Sequence, residues 1–202
     1  MYWVDSNIAQ HTNYKELATN RINEWVESIY DATPTIKNEL VNVTKPSPSA
    51  MVGVKKLLIE MLRNSHKSDF GITTNGPEKS IYLNVVKNTG IHRNTGNKYK
   101  VTKPQEPALR LLWDHWDDMI QSTRDDNDRI SIAKLISKAS APPFGLKHGL
   151  AHLLSIIKVF SDLGQISVYH KRHMEQEFMY LAKIEKDTIE LLTKRPENFE
   201  VK

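Results

Sequence analysis

Cysteine is absent from this 202-residue chain, which excludes disulfides, thiolate catalysis and every zinc site that needs sulfur. Any metal would have to be held by His, Asp or Glu. Long apolar runs are missing too: the longest lie near Leu57–Ile59 and Leu153–Ile157, far short of the roughly 20 residues that cross a bilayer. The opening Met1-Tyr2-Trp3-Val4-Asp5 has neither the basic flank nor the apolar stretch of a secretory signal, so a cytoplasmic chain without a membrane partner is expected. Glycine is scarce, at 8 residues, and no phosphate-binding loop is built from it. Such a loop needs a Gly-rich turn followed by Gly-Lys-Ser/Thr. The nearest run, Gly90-Ile91-His92-Arg93-Asn94-Thr95-Gly96-Asn97-Lys98, has the wrong spacing. The dinucleotide fingerprint and the Gly-x-Ser-x-Gly elbow are also missing. The expectation is a non-enzymatic chain with no cofactor.

What is present is an ordinary globular composition, 39% hydrophobic and 26% charged, long enough for one sizeable core or two small ones. The net charge of +4 is spread unevenly: residues 51–104 carry ten Lys/Arg against three Asp/Glu, and residues 105–128 carry two against seven. Within the basic pole, Lys87, Arg93, Lys98, Lys100 and Lys103 follow one another with no acidic residue between them. They read as a phosphate-facing surface or as a solvated loop. Asp114, Asp117 and Asp118 offer that region a partner within the same chain.

Apolar residues returning at spacings of three and four predict a helix over 14–30 with one buried face, made of Tyr14, Leu17, Ala18, Ile22, Trp25 and Ile29. Pro34, Pro46 and Pro48 make 32–48 a connector, after which Ser49 is the expected cap of a helix burying Met51, Val54, Leu57, Leu58, Met61 and Leu62. A short helix over 78–88, burying Ile81, Tyr82, Val85 and Val86, ends at Gly90, and 91–102 forms a hairpin turning at Asn94-Thr95-Gly96-Asn97. A further helix runs from Pro107 to about Gln121 on Leu109, Leu112, Trp113, Trp116 and Ile120.

The last third reads as a helix capped by Ser131, a stiff Pro142-Pro143-Phe144-Gly145 turn, a long helix ended by Gly164, and a strand over 165–170. A basic turn at Lys171-Arg172-His173 follows, then a helix over 182–193 with Ile184, Thr188, Leu191 and Leu192 inward, and a closing strand at 199–201. That order suits a winged-helix-like arrangement or a generic helical packing module. The expected fold is mainly α, a multi-helix domain with small β elements and a winged-helix-like C-terminal part. Residues 1–128 form a helical region with the basic segment and 129–202 the winged-helix-like module, or the two are one continuous domain.

Three further groups carry potential chemistry. Lys171 and Arg172, with Lys158, form a second candidate polyanion contact, or a surface for protein docking. His148 and His152 are four apart on a predicted helix and can face the same side, where they serve packing or hold a metal for a nuclease or hydrolase; no Glu stands between them as a His-Glu-x-x-His motif requires. No metal is assigned to them. Asp125-Asp126-Asn127-Asp128 lacks the central Gly and terminal Glu of a calcium loop and reads as a solvated turn.

Three blocks then suggest a family. They are 33–42 (Thr33-Pro34-Thr35-Ile36-Lys37-Asn38-Glu39-Leu40-Val41-Asn42), Pro77-Glu78-Lys79-Ser80-Ile81-Tyr82 with Thr89-Gly90-Ile91-His92-Arg93, and Ala141-Pro142-Pro143-Phe144-Gly145-Leu146-Lys147-His148-Gly149. With Arg195-Pro196-Glu197-Asn198-Phe199 near the end, they resemble an accessory, non-catalytic region of large P-loop NTPases from bacterial phage-defence islands, the BREX-type ATPases and relatives. The resemblance implies structural roles: Asn38 and Glu39 fix the connector, Glu78 and Tyr82 anchor the middle helix, and Pro143, Phe144 and Gly145 set the turn into the long helix. It also implies an NTPase core in cis or trans, other defence-system proteins and double-stranded DNA as partners. The chain departs from the family in having no ATPase core.

Overall fold

A computed structural model describes residues 14–125, 128–171 and 177–202. The first helix, α1 (Tyr14–Ile29), forms where the spacing predicts it, but none of its residues is buried. Trp25 is 67% exposed and Ile22 55%, so the expected inward face is turned outward. Periodicity specifies a helix with an apolar stripe; it does not supply a surface to cover the stripe. The chain joins the body just after α1, where the Tyr30 ring lies against Gly145 and the Ala32 amide donates to the Pro143 carbonyl at 3.3 Å.

α2 (Pro48–Asn64) buries Val54, Leu57, Leu58 and Met61 as expected, but its cap is Ser47, whose hydroxyl accepts from the Ala50 amide at 3.2 Å. Ser49 lies within the first turn. Proline at the first helical position needs no hydrogen-bond partner for its nitrogen, so the residue before Pro48 becomes the cap. The expected helix over 78–88 divides into α3 (Pro77–Ile81) and a wider π-helical turn at Tyr82–Lys87. Ile81, Tyr82, Val85 and Val86 are all buried, as positions i, i+1, i+4 and i+5 of one helix face.

The hairpin forms as β1 (His92–Asn94) and β2 (Tyr99–Val101), with Arg93 opposite Lys100. α4 (Pro107–Asp125) then buries Leu109, Leu112, Trp113, Trp116 and Ile120. The Trp116 indole N–H donates to the Leu135 carbonyl at 3.0 Å, tying α4 to the next helix. After β3 (Ile130–Ser131), Ser131 caps α5 (Ile132–Ser140) as expected. α6 (His148–Ser161) follows the Pro143-Phe144-Gly145 turn, in which Phe144 is buried and Gly145 has φ +61°. α6 stops at Ser161, three residues before the expected stop at Gly164.

β4 (Val168–Lys171) pairs with β5 (Phe178–Tyr180), a strand the sequence reading does not contain. α7 (Lys186–Lys194) starts later than expected and turns Ile189, Leu192 and Thr193 inward, leaving Leu191 exposed. β6 (Phe199–Val201) completes a four-stranded antiparallel sheet in the order β3-β6-β4-β5. The observed fold is a mainly helical assembly with two short antiparallel sheets. One hydrophobic core, from Ile36 to Val201, takes residues from both sides of position 128. Among the described residues, no helix is long and apolar enough to cross a membrane.

Candidate functional site

Folding sorts the basic pole into spent and unspent charge. Asp69 accepts from Lys79 at 2.6 Å and from Lys87 at 3.1 Å. Burial works to raise the Asp69 carboxyl, but the two ammonium groups outweigh it and hold it below the ordinary carboxylate value. Lys103 bridges Asp114 and Asp117, as the charge pattern suggested. Lys55 reaches Glu190 at 3.3 Å and Lys56 approaches Glu78 at 3.9 Å. Half of the ten cations are thus occupied inside the molecule.

Arg63, Lys67, Arg93, Lys98 and Lys100 pair with no carboxylate among the described residues. Arg63 and Lys67 sit at the end of α2, and Lys98 and Lys100 on the hairpin beside it, all exposed. Arg93 stands across from Lys100, so it shares the hairpin face that alternation also gives to Lys98. A cleft of about 470 Å³ runs between the hairpin and the ends of α2 and α6, lined by His66, Lys98, Tyr99, Lys100 and Phe160. It meets a second cleft of about 410 Å³ at Leu62, where Arg63, Lys183 and Lys186 add further positive charge beside Glu185. Lys87 and Lys103, predicted members of this surface, are turned to carboxylates instead.

A buried network fixes the hairpin in place. The His92 Nε2–H donates to the Ser65 carbonyl at 2.9 Å, which leaves Nδ1 to accept the Tyr82 hydroxyl at 2.8 Å. Phe70 packs on the His92 ring at 4.1 Å between centroids and meets Tyr82 edge-on at 5.1 Å. Burial pushes the Tyr82 hydroxyl well above its ordinary value and holds the His92 imidazole below its own, so both are neutral. Phe70 and Asp69 both take positive φ, at 52°. The Lys79 and Lys87 bonds and the buried Phe70 ring hold that turn.

Lys158 does not belong to the second predicted basic surface. Lys158 is 2% exposed and its ammonium lies between Asp117 and Asp162. A side chain held by two carboxylates cannot face a polyanion. Lys171 is exposed on β4, its ammonium 5.8 Å from the Phe178 ring centre, while Arg172 lies outside the described residues. Asp126 and Asn127 of the proposed solvated turn lie outside them too.

His148 and His152 do come together, with ring centroids 5.8 Å apart. They line a cleft of about 650 Å³ together with Met51, Ile136 and Glu197. Among the described residues, no third His, Asp or Glu joins them closely enough to form a metal cluster. His170, a possible further ligand, stacks on Phe199 at 4.4 Å, and His173 lies outside the described residues.

The three sequence blocks meet around the connector. The Asn38 side chain accepts from the Leu40 amide at 3.1 Å and donates to the Ser80 carbonyl at 3.3 Å, joining the first block to the second. Asn42 adds a bond to the Ile36 carbonyl at 3.1 Å. Glu39 is exposed on an adjacent polar cleft, so the brace comes from the two asparagines. Glu78 is buried beside α2; the Thr74 hydroxyl, 2.7 Å away, holds its carboxyl below the ordinary value against the opposing effect of burial. The third block approaches through Gly149, where a Cβ would stand 2.6 Å from the Val41 carbonyl oxygen. These residues perform packing and bracing. Arg63, His66 and Lys67 escaped the sequence reading because only the placement of α2 beside the hairpin joins them to Lys98 and Lys100. In comparisons with protein-family models, curated proteins and solved structures, nothing matches this chain.

Proposed function

We propose that this chain is a non-enzymatic interaction domain that contacts the phosphate backbone of double-stranded DNA through its hairpin end. The observation that carries this reading is the convergence of five cations without carboxylate partners among the described residues, Arg63, Lys67, Arg93, Lys98 and Lys100, at one end of the molecule. Exposed Lys and Arg around a groove supply the sequence-independent part of DNA binding, and the braced hairpin presents them without further ordering. In the same reading α5, α6 and the β4–β5 pair form a winged-helix-like part. The resemblance to accessory regions of phage-defence NTPases supports an NTPase core, in cis or trans, and other defence proteins as partners.

The test is fluorescence anisotropy of a labelled duplex with the full chain, at low and at physiological salt. Binding should weaken with salt by a slope of about −0.9 for each phosphate neutralised. Changing Arg93, Lys98 and Lys100 together to Glu should abolish binding at physiological salt, while Lys171→Glu leaves it nearly unchanged. No binding at low salt, or full binding by the triple variant, overturns the reading.

A further inference from the structure

The cleft beside the N-terminal half of α2 carries chemistry that DNA contact does not use. His148 opens α6 and is exposed to solvent, and His152 stands one turn later, half-buried, on the same face. Two imidazole nitrogens about 2.0–2.1 Å from one metal ion at a near-tetrahedral angle place their ring centres roughly 5–5.5 Å apart. The observed 5.8 Å lies within a small side-chain rotation of that arrangement. His152 is also oriented as a ligand is: its Nε2–H donates to the Leu192 carbonyl at 3.3 Å, leaving Nδ1 with the free lone pair. The two rings also line a void of about 30 Å³ that shares Pro46, Met51 and Thr193 with the larger cleft.

We propose that His148 and His152 bind a divalent metal ion of the zinc, nickel or cobalt class in the cleft between α2, α5, α6 and α7. Imidazole nitrogens select these ions over magnesium or calcium, which prefer oxygen ligands. Of the charged groups facing the cleft, Glu197 favours a cation, and Lys55 and Lys194 are both turned onto Glu190, at 3.3 and 2.6 Å. Lys45 contributes the opposing charge. With two protein ligands, the remaining coordination positions go to water or to a group brought by a partner.

The experiment is isothermal titration of the full chain with zinc chloride and, separately, magnesium chloride at pH 7.5. Zinc should bind and magnesium should not. His148→Ala, at an exposed position that leaves the fold intact, should weaken zinc binding by about tenfold or more, and His152→Ala should do the same. His66→Ala, at the opposite end of the molecule, should leave it unchanged. Absence of zinc binding by the unaltered chain, or equal binding by His148→Ala, overturns the proposal. Neither result depends on whether the hairpin binds DNA.

Discussion

Lys158 is the side chain whose sequence reading and structural position differ most. Its ammonium is buried at the meeting of α4 and α6, and Asp117 and Asp162 supply the charge that makes burial tolerable. Removing both carboxylates would leave an uncompensated ammonium in the interior. Asp117→Asn with Asp162→Asn should cost about 3–5 kcal/mol in urea unfolding. Adding Lys158→Met to the pair should restore most of that stability; failure of the triple variant to recover would show that the carboxylates act mainly through other partners. His92 makes the complementary case, a buried group kept neutral. As pH falls, the unfolded chain takes up the imidazole proton first, near the ordinary value of 6.5, because burial holds the folded group lower. Its contribution is therefore present above about pH 6.5 and lost below it. His152 shifts in the same direction. Unfolding free energy should fall between pH 7 and pH 5, before the depressed carboxyls of Asp69 and Glu78 begin to protonate. Tyr82→Phe leaves the His92 Nδ1 without its donor and should cost about 1–3 kcal/mol at pH 7. A profile flat from pH 7 to pH 5 would contradict the account of His92.

At the scale of elements, what the sequence disclosed was local. The hairpin was legible because Asn94-Thr95-Gly96-Asn97 is turn chemistry between short strand-forming runs, and the observed Thr95–Lys98 turn lies there. The helices from Pro107 and from Ser131 were legible from their apolar period, whereas in the helix before the final strand that period placed only Leu192 of the fully buried residues. The π-helical turn at Tyr82–Lys87 was not legible, because Ile81, Tyr82, Val85 and Val86 share one face whether the ladder is α or π, so their spacing does not tell the two apart. β5 was missed because Phe178-Met179-Tyr180 is too short to announce a strand before β4 is present to pair with it. The same division runs through the candidate site. Lys98 and Lys100 could be found in a run without acids, but the departure of Lys87 and Lys103 from that surface required Asp69, Asp114 and Asp117 to be in place.

For the whole molecule, the decisive contrast is between one continuous core and one helix outside it. The core gathers Leu57, Trp116, Leu135, Leu154 and Phe199 from separate elements, so losing any of them opens a cavity that close-packed neighbours cannot fill. α1 contributes no buried side chain to that core, and its 16 residues are near the lower limit for a helix standing on its own propensity. The body and α1 should consequently unfold as separate units, with α1 opening at much lower free energy. Ile22→Pro would break the α1 hydrogen-bond ladder without touching the core. It should reduce the helical circular dichroism signal yet leave the main urea transition within about 0.5 kcal/mol of the unaltered chain. Leu57→Ala, which empties a site with 0% exposure, should lower the same transition by about 2–5 kcal/mol. If Ile22→Pro instead shifted the main transition as far as Leu57→Ala does, α1 would have to be packed against the body or against another molecule under those conditions. Repeating the measurement at several protein concentrations would separate the two, because only contact between molecules makes the midpoint rise with concentration.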